Sequence, residues 1–161
     1  MFEEFLEGWE GEQVLVRHDP HSGTWMFVCM HSTRLGPAAG GTRMRMYSSP
    51  AEGLVDGLRL AEGMTPKFAI AGLPFGGGKG VLAVRALPSV EERRRIVSRY
   101  AQMVASLRGS FHTGPDMNTS ELDMDIIAER GGFAFGRSPA QGGSGSSAAD
   151  TAVGVFHGIR A

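Results

Sequence analysis

Short apolar runs bounded by polar residues stand at Gln13-Val-Leu-Val-Arg17 and again at Thr24-Trp-Met-Phe-Val-Cys-Met-His31. Both runs read as strands, and His21-Ser-Gly23 between them supplies turn residues, so the chain opens with an antiparallel hairpin. Helical spacing follows. Ser49-Pro50-Ala51-Glu52 combines a capping serine, proline at the first helical position and glutamate three residues after the cap. A helix is predicted from there to about Glu62, with Leu54, Leu58 and Ala61 on one face. Val81-Leu-Ala-Val84 is a short apolar run and reads as a buried strand. Ser89-Val-Glu-Glu92 is a second capping box, opening a helix to about Leu107 that turns Ile96, Tyr100, Met103 and Leu107 to one side. Thr119 or Ser120 caps a third helix, with Leu122, Ile126 and Ile127 inward. Residues 136–146 form a loop rich in glycine and serine. Ser147-Ala-Ala-Asp150 opens a last helix, carrying Gly154 and Gly158, that still runs at Ala161. Strands alternating with helices predict an α/β fold, and the opening hairpin makes its sheet mixed.

Bulk properties narrow the function. A chain of 161 residues suits one domain with a real core. Its net charge of −1 provides no field for nucleic acid or an anionic membrane. No apolar run reaches membrane-spanning length, and the acidic start Met1-Phe-Glu-Glu-Phe5 lacks the form of a signal peptide. Cys29 is the only cysteine, which fits a reducing cytoplasm. The five histidines are scattered without metal-ligand spacing, so no zinc site is expected.

The cations are unevenly chosen. There are fourteen arginines but two lysines, Lys67 and Lys79, twelve residues apart and both within Gly63–Gly80. An ammonium can be pushed toward neutrality by burial, whereas a guanidinium stays charged. Two lysines beside the glycine triplet Gly76-Gly-Gly78 therefore point to chemistry. The triplet is not a nucleotide-triphosphate loop, because Leu73 stands where the first glycine is needed and Gly80 where Ser or Thr should follow the lysine. Gly143-Ser-Gly145-Ser-Ser-Ala148 matches a dinucleotide fingerprint, but no strand is predicted to lead into it. Asp116 follows Gly114-Pro115 just before a capped helix, either as a turn residue or as a carboxylate placed to meet a lysine.

Four segments together resemble the amino-terminal domain of the glutamate/leucine/phenylalanine/valine dehydrogenase family: Leu35-Gly-Pro-Ala-Ala-Gly-Gly-Thr-Arg43, Gly63-Met-Thr-Pro-Lys67, Gly72-Leu-Pro-Phe-Gly-Gly-Gly-Lys79 and Thr113-Gly-Pro-Asp-Met-Asn-Thr119. The resemblance covers essentially the whole chain. It implies a three-layer α/β/α fold with a mixed sheet, and oxidative deamination of an L-amino acid to a 2-oxo acid and ammonia with NAD as hydride acceptor. By the same match Lys67 would bind the substrate α-carboxylate. Lys79 and Asp116 would be catalytic, and Gly40, Gly41, Ala39 and Met64 would line the substrate. Ala39 stands where the family's glutamate-specific members carry a lysine. Without that cation a substrate side-chain carboxylate is disfavoured, which points to an apolar amino acid of phenylalanine or leucine/valine type.

The resemblance also implies a homo-oligomer and a division into residues 1–146, a substrate-binding and oligomerisation unit, and 147–161, the start of a helix leading to an NAD-binding domain. On that division the chain alone is expected to be inactive. The competing expectation is a stand-alone binding or assembly module that kept the fold.

Overall fold

A computed structural model describes residues 2–161. A short helix α1 (Phe2–Leu6) precedes the hairpin β1 (Gln13–Asp19) and β2 (Thr24–Met30). Then come β3 (Ala38–Met46), α2 (Pro50–Ile70), β4 (Gly76–Val84), α3 (Val90–Ser106), β5 (Phe111–Pro115), α4 (Glu121–Glu129) and β6 (Phe133–Ala134). A single turn of 3-10 helix, Pro139–Gln141, and α5 (Ala148–Arg160) complete the chain. The strands form one six-stranded sheet in the order β1-β2-β4-β3-β5-β6. β1, β2 and β4 pair antiparallel, while β4, β3, β5 and β6 run parallel. The sheet is mixed, as the hairpin predicts.

The period of two along the strands makes the three layers. Met26, Val28, Met44, Leu82 and Val84 face α3 and α4, where they pack with Ile96, Val97, Tyr100, Met124 and Ile127. Phe27, Cys29, Val81 and Ala83 face the other way, against Leu54, Leu58 and Ala61 of α2. Helix α2 lies unusually close to the sheet because its contact residues are small. A Cβ at Gly57 would stand 3.0 Å from Cys29 Sγ, and one at Gly53 would stand 3.1 Å from Ala83 Cβ.

The serine caps of α2 and α3 form, with Glu52 N–H donating to Ser49 Oγ and Glu92 N–H to Ser89 Oγ. The reciprocal half of each expected box does not: the Glu52 carboxylate accepts from Ser48 instead, and the complete box is on α4, between Ser120 and Asp123. Several expectations are corrected. Helix α2 does not stop at Glu62. It runs through Pro66 to Ile70 and ends where Gly72 adopts φ +66°. Pro66 removes one helical hydrogen bond, but on an exposed stretch water can replace it. Tertiary packing of Ala61 and Thr65 over Gly77 holds the extension in place. The glycine triplet is not a loop ahead of a strand but the first third of β4, buried throughout. β5 and the Ala38–Gly41 half of β3 carry no alternation, and neither strand is among those read from the sequence, although Arg43-Met-Arg-Met46 does alternate. Gly114-Pro115 is the end of β5 and not a turn. Leu122 points outward, 65% exposed, and buried Asp123 and Met124 take the inward positions of α4 instead. Helix α5 forms where expected, but Ser147 makes no side-chain cap and the helix buries no residue.

Candidate active site

Lys79 sits in the middle of β4 on the face turned to α2, the same face as Val81. Its side chain is 5% exposed. β3 and β5 run parallel beside β4, and Asp116 is the first residue beyond β5. The Lys79 ammonium donates to Asp116 Oδ1 at 3.2 Å. Arg43, from β3, donates through Nε to the other oxygen, Asp116 Oδ2, at 2.7 Å. The same guanidinium donates through Nη1 to Asp56 Oδ2 of α2 at 2.9 Å. Asp56 is further held by the Tyr47 hydroxyl at 2.8 Å and by Arg59 at 3.0 Å. The fold thus brings cations and carboxylates from β4, β3, the end of β5 and one helix into a single alternating chain.

Local structure fixes Asp116. Its N–H donates to Thr119 Oγ1 at 2.9 Å, and the Thr119 hydroxyl donates to the Thr42 carbonyl at 2.7 Å. Asn118 takes φ +57° and donates to the Met44 carbonyl at 3.1 Å. Asparagine tolerates that left-handed backbone, so the turn after Asp116 is locked onto β3. Gly41 keeps the path open: a Cβ there would stand 2.8 Å from Asp116 Cβ.

The electrostatics follow from burial. Desolvation pulls the Lys79 ammonium below its ordinary value, and the nearby Arg43 charge pulls the same way, against the upward influence of Asp116 and Asp56. Burial raises Asp116, but the hydrogen bond from Arg43 and the charge of Lys79 outweigh it, holding the carboxyl below its usual range. The pair is therefore an ionised carboxylate beside an ammonium that releases its proton more readily than lysine in water.

The other sequence-derived site residues lie on β3 and on α2. Gly40 and Ala39 are buried in β3, and Gly40 approaches the Gly78 carbonyl too closely for any side chain. Met64 of α2 packs over Gly40, its Cγ 3.5 Å from where a Cβ would stand. Ala39 lies opposite Gly77 and His112. Lys67 is in the last turn of α2, exposed, and makes no ion pair among the described residues. Arg43, Asp56 and Tyr47 were not singled out by sequence reasoning. Arg43 closes the Leu35–Arg43 segment, but nothing in the sequence reveals that Asp56 of a distant helix turns toward it.

No group of three or more metal-ligating side chains is present among the described residues. No described helix is long and apolar enough to cross a membrane. The Gly143–Ala148 stretch does not form a dinucleotide cradle. It enters α5 from a 3-10 turn and loop with no strand before it, and Gly143 packs on the Arg137 carbonyl of its own loop.

Removing the carboxylate from this pair has a definite sign. In Asp116→Asn the Lys79 ammonium stays buried beside Arg43, so it is pulled lower still. A base held below its ordinary value of 10.5 binds fewer protons folded than unfolded between its folded value and 10.5. Stability therefore rises with pH across that window. Denaturant midpoints measured from acid to about pH 10 should rise with pH over a wider span in the variant than in the parent; parallel curves would contradict the pairing.

The chain is thus a three-layer α/β domain with a buried lysine–aspartate pair held across parallel strands. The chain belongs to the Glu/Leu/Phe/Val dehydrogenase dimerisation-domain family, whose model matches residues 13–131. It is 41% identical over 157 residues to leucine dehydrogenase of Geobacillus stearothermophilus, covering 98% of this chain and 42% of that protein. It is also 41% identical over 152 residues to phenylalanine dehydrogenase of Caldalkalibacillus thermarum, covering 94% of this chain and 40% of that protein. Among solved structures, L-tryptophan dehydrogenase from Nostoc punctiforme superposes with a TM-score of 0.75 at 34% identity, over 83% of this chain and 39% of that one. The chain thus spans about two fifths of the length of these relatives.

Proposed function

We propose that this chain is the substrate-binding and proton-transfer portion of an NAD-dependent dehydrogenase acting on an apolar L-amino acid. The observation that carries the reading is the Lys79–Asp116 contact at 3.2 Å, buried among glycines in a member of this family. In this reading the exposed Lys67 ammonium pairs with the substrate α-carboxylate. Asp116, ionised at neutral pH, accepts a proton from the α-ammonium group. After the α-hydrogen has left as hydride, Lys79 in its neutral form takes a proton from water as the oxygen adds to the imine carbon. The carbinolamine then collapses: Asp116 returns its proton to the nitrogen, the hydroxyl proton is lost to water, and the carbon–nitrogen bond breaks to release ammonia and the 2-oxo acid. A lysine tuned toward neutrality is suited to that proton transfer.

NAD is the hydride acceptor implied by the family resemblance; the described residues supply no cradle for it, and no step here depends on its contacts. The proposed division keeps 1–146 as the substrate-binding and oligomerising unit and gives 147–161 to a connecting helix, which the wholly exposed α5 supports. A homo-oligomer fits the dimerisation-domain family, and a cytoplasmic setting fits the single buried thiol. The equal identities to leucine and phenylalanine dehydrogenases leave the side chain to the site itself. Ala39 offers no cation there, which disfavours glutamate.

Nuclear magnetic resonance titration of the 161-residue chain tests the reading. L-phenylalanine or L-leucine should shift resonances of Gly40, Gly41 and Lys67, with L-glutamate weaker and NAD without effect. Preference for glutamate, or tight NAD binding, would overturn it.

A further inference from the structure

The buried pair is not free-standing. Asp116 has two oxygens and each has one named cationic partner: Lys79 on Oδ1 and Arg43 on Oδ2. Arg43 in turn is gripped from behind. Its Nη1 meets Asp56, and Asp56 is held by Tyr47 and Arg59. The Arg43 and Asp56 side chains are only 15% and 11% exposed, so this is no loose surface pair, and the planar guanidinium can serve two carboxylates at fixed angles. The arrangement does more than fill space. A carboxylate bound on one oxygen only could rotate and share its charge between both oxygens. Bound on Oδ2 by Arg43, it offers Lys79 one oxygen in one orientation.

We propose that Arg43, anchored by Asp56 and Tyr47, is the positioning residue of this site: it fixes the Asp116 carboxylate with Oδ1 toward Lys79 and keeps the lysine poised to lose its proton. The assignment rests on the functional reading above but concerns a residue that neither touches substrate in that reading nor belongs to the proposed catalytic pair. Arg43 acts on Lys79 in two ways. It draws on the Asp116 charge that would otherwise hold the lysine protonated, and its own positive charge opposes a second cation nearby. The groups facing Lys79 make the balance readable. Asp116 comes from the end of β5, Arg43 from β3 and Asp56 from α2. Cys29 of β2 stands opposite in register, and burial pushes its thiol up to about 12, so it contributes no charge near neutral pH. Of these groups Arg43 alone lowers the lysine by its charge.

The experiment is a titration of the Lys79 side chain by carbon and nitrogen resonances in the 161-residue chain, in the parent, Arg43→Gln and Arg43→Lys. Arg43→Gln should move the Lys79 titration to higher pH, and Arg43→Lys, which keeps a charge, should return it toward the parent. A packing role alone would leave the Lys79 titration unmoved in both, and that result overturns the proposal. Should Arg43→Gln fail to fold, Arg43→Lys decides in the full dehydrogenase. One ammonium cannot hold Asp116 and Asp56 together, so kcat should fall about ten-fold or more with a smaller change in KM, and a parental kcat overturns the proposal. If the parent dehydrogenase itself turns over no amino acid, the functional reading fails, while the titration still decides the part played by Arg43.

Discussion

Replacing Lys79 with methionine is expected to lower turnover of the dehydrogenase carrying this chain by about 10²–10⁴-fold, the usual worth of a positioned acid–base group, and to leave the fold intact or firmer. The two halves have separate physical causes. Burial holds Lys79 below its ordinary value and so frees its proton, whereas its neighbour Arg43, despite burial, is raised overall by its two carboxylates, and methionine has no proton to exchange. Stability survives because the one atom that loses its partner, Asp116 Oδ1, belongs to a side chain 26% exposed, where water can replace the lysine. Asp116 keeps Arg43 Nε at 2.7 Å and its N–H keeps Thr119 Oγ1 at 2.9 Å. Methionine fills a similar volume and removes the cost of holding an ammonium out of water. Thermal unfolding and kcat measured on the same preparation check both. Near-parental kcat would end the assignment of Lys79 as the proton-transfer group. A large drop in Tm would show that Asp116 depends on the lysine and not on Arg43.

Gly40→Ala should be among the most damaging single changes to the fold, at about 3 kcal/mol. The added methyl group would run into the carbonyl oxygen of Gly78 on the paired strand, with Met64 Cγ at 3.5 Å on its other side. The obstacle is backbone, so no rotamer relieves it. β3 and β4 would have to separate at the row that leads to Lys79. For a domain of this size the loss corresponds to a fall in Tm of about 10 °C. Gly63→Ala is the control. Gly63 lies in α2, exposed, with nothing within 4 Å of an added Cβ. There the same substitution should stabilise by about 0.5–1 kcal/mol through the helix preference of alanine. Calorimetric scans of both variants decide the matter, and equal effects at the two positions would refute the close approach of β3 to β4.

Much of the frame was legible because it is written in local signals. The hairpin shows as two short apolar runs with turn residues between. Helices α2 and α3 announce their starts through Ser49 and Ser89, each followed three residues later by glutamate. The glycine-lysine segments were legible in a different way, as a resemblance, which drew attention to Lys79 and Asp116 before any geometry was known. The failures also share a cause. The Ala38–Gly41 half of β3 and the first third of β4 are strands made of glycine and alanine, residues that carry no pattern and little strand preference. They are strands because neighbours on both sides supply hydrogen bonds. Leu122 was expected inward on periodicity alone, but Asp123 has a partner below it: Arg93 of α3 donates to its carboxylate and buries it in place of the leucine. Helix α2 outruns its proline because the sheet beneath Thr65 and Ala61 is bare of side chains at Gly77.

The sequence by itself determined where the opening hairpin turns, which helices start where, and by resemblance the dehydrogenase family, within which it drew attention to two lysines and an aspartate. Hydrogen-bonded turns, capping boxes and short-range periodicity act over a few residues, so they can be read along the chain. Tertiary structure alone decided that Lys79, Asp116, Arg43 and Asp56 form one linked chain of charge. Those residues come from two strand interiors, the end of a third strand and a helix, up to 73 positions apart between Arg43 and Asp116. Only the parallel alignment of β4, β3 and β5, made close by their glycines, brings them within reach and strips water from the lysine.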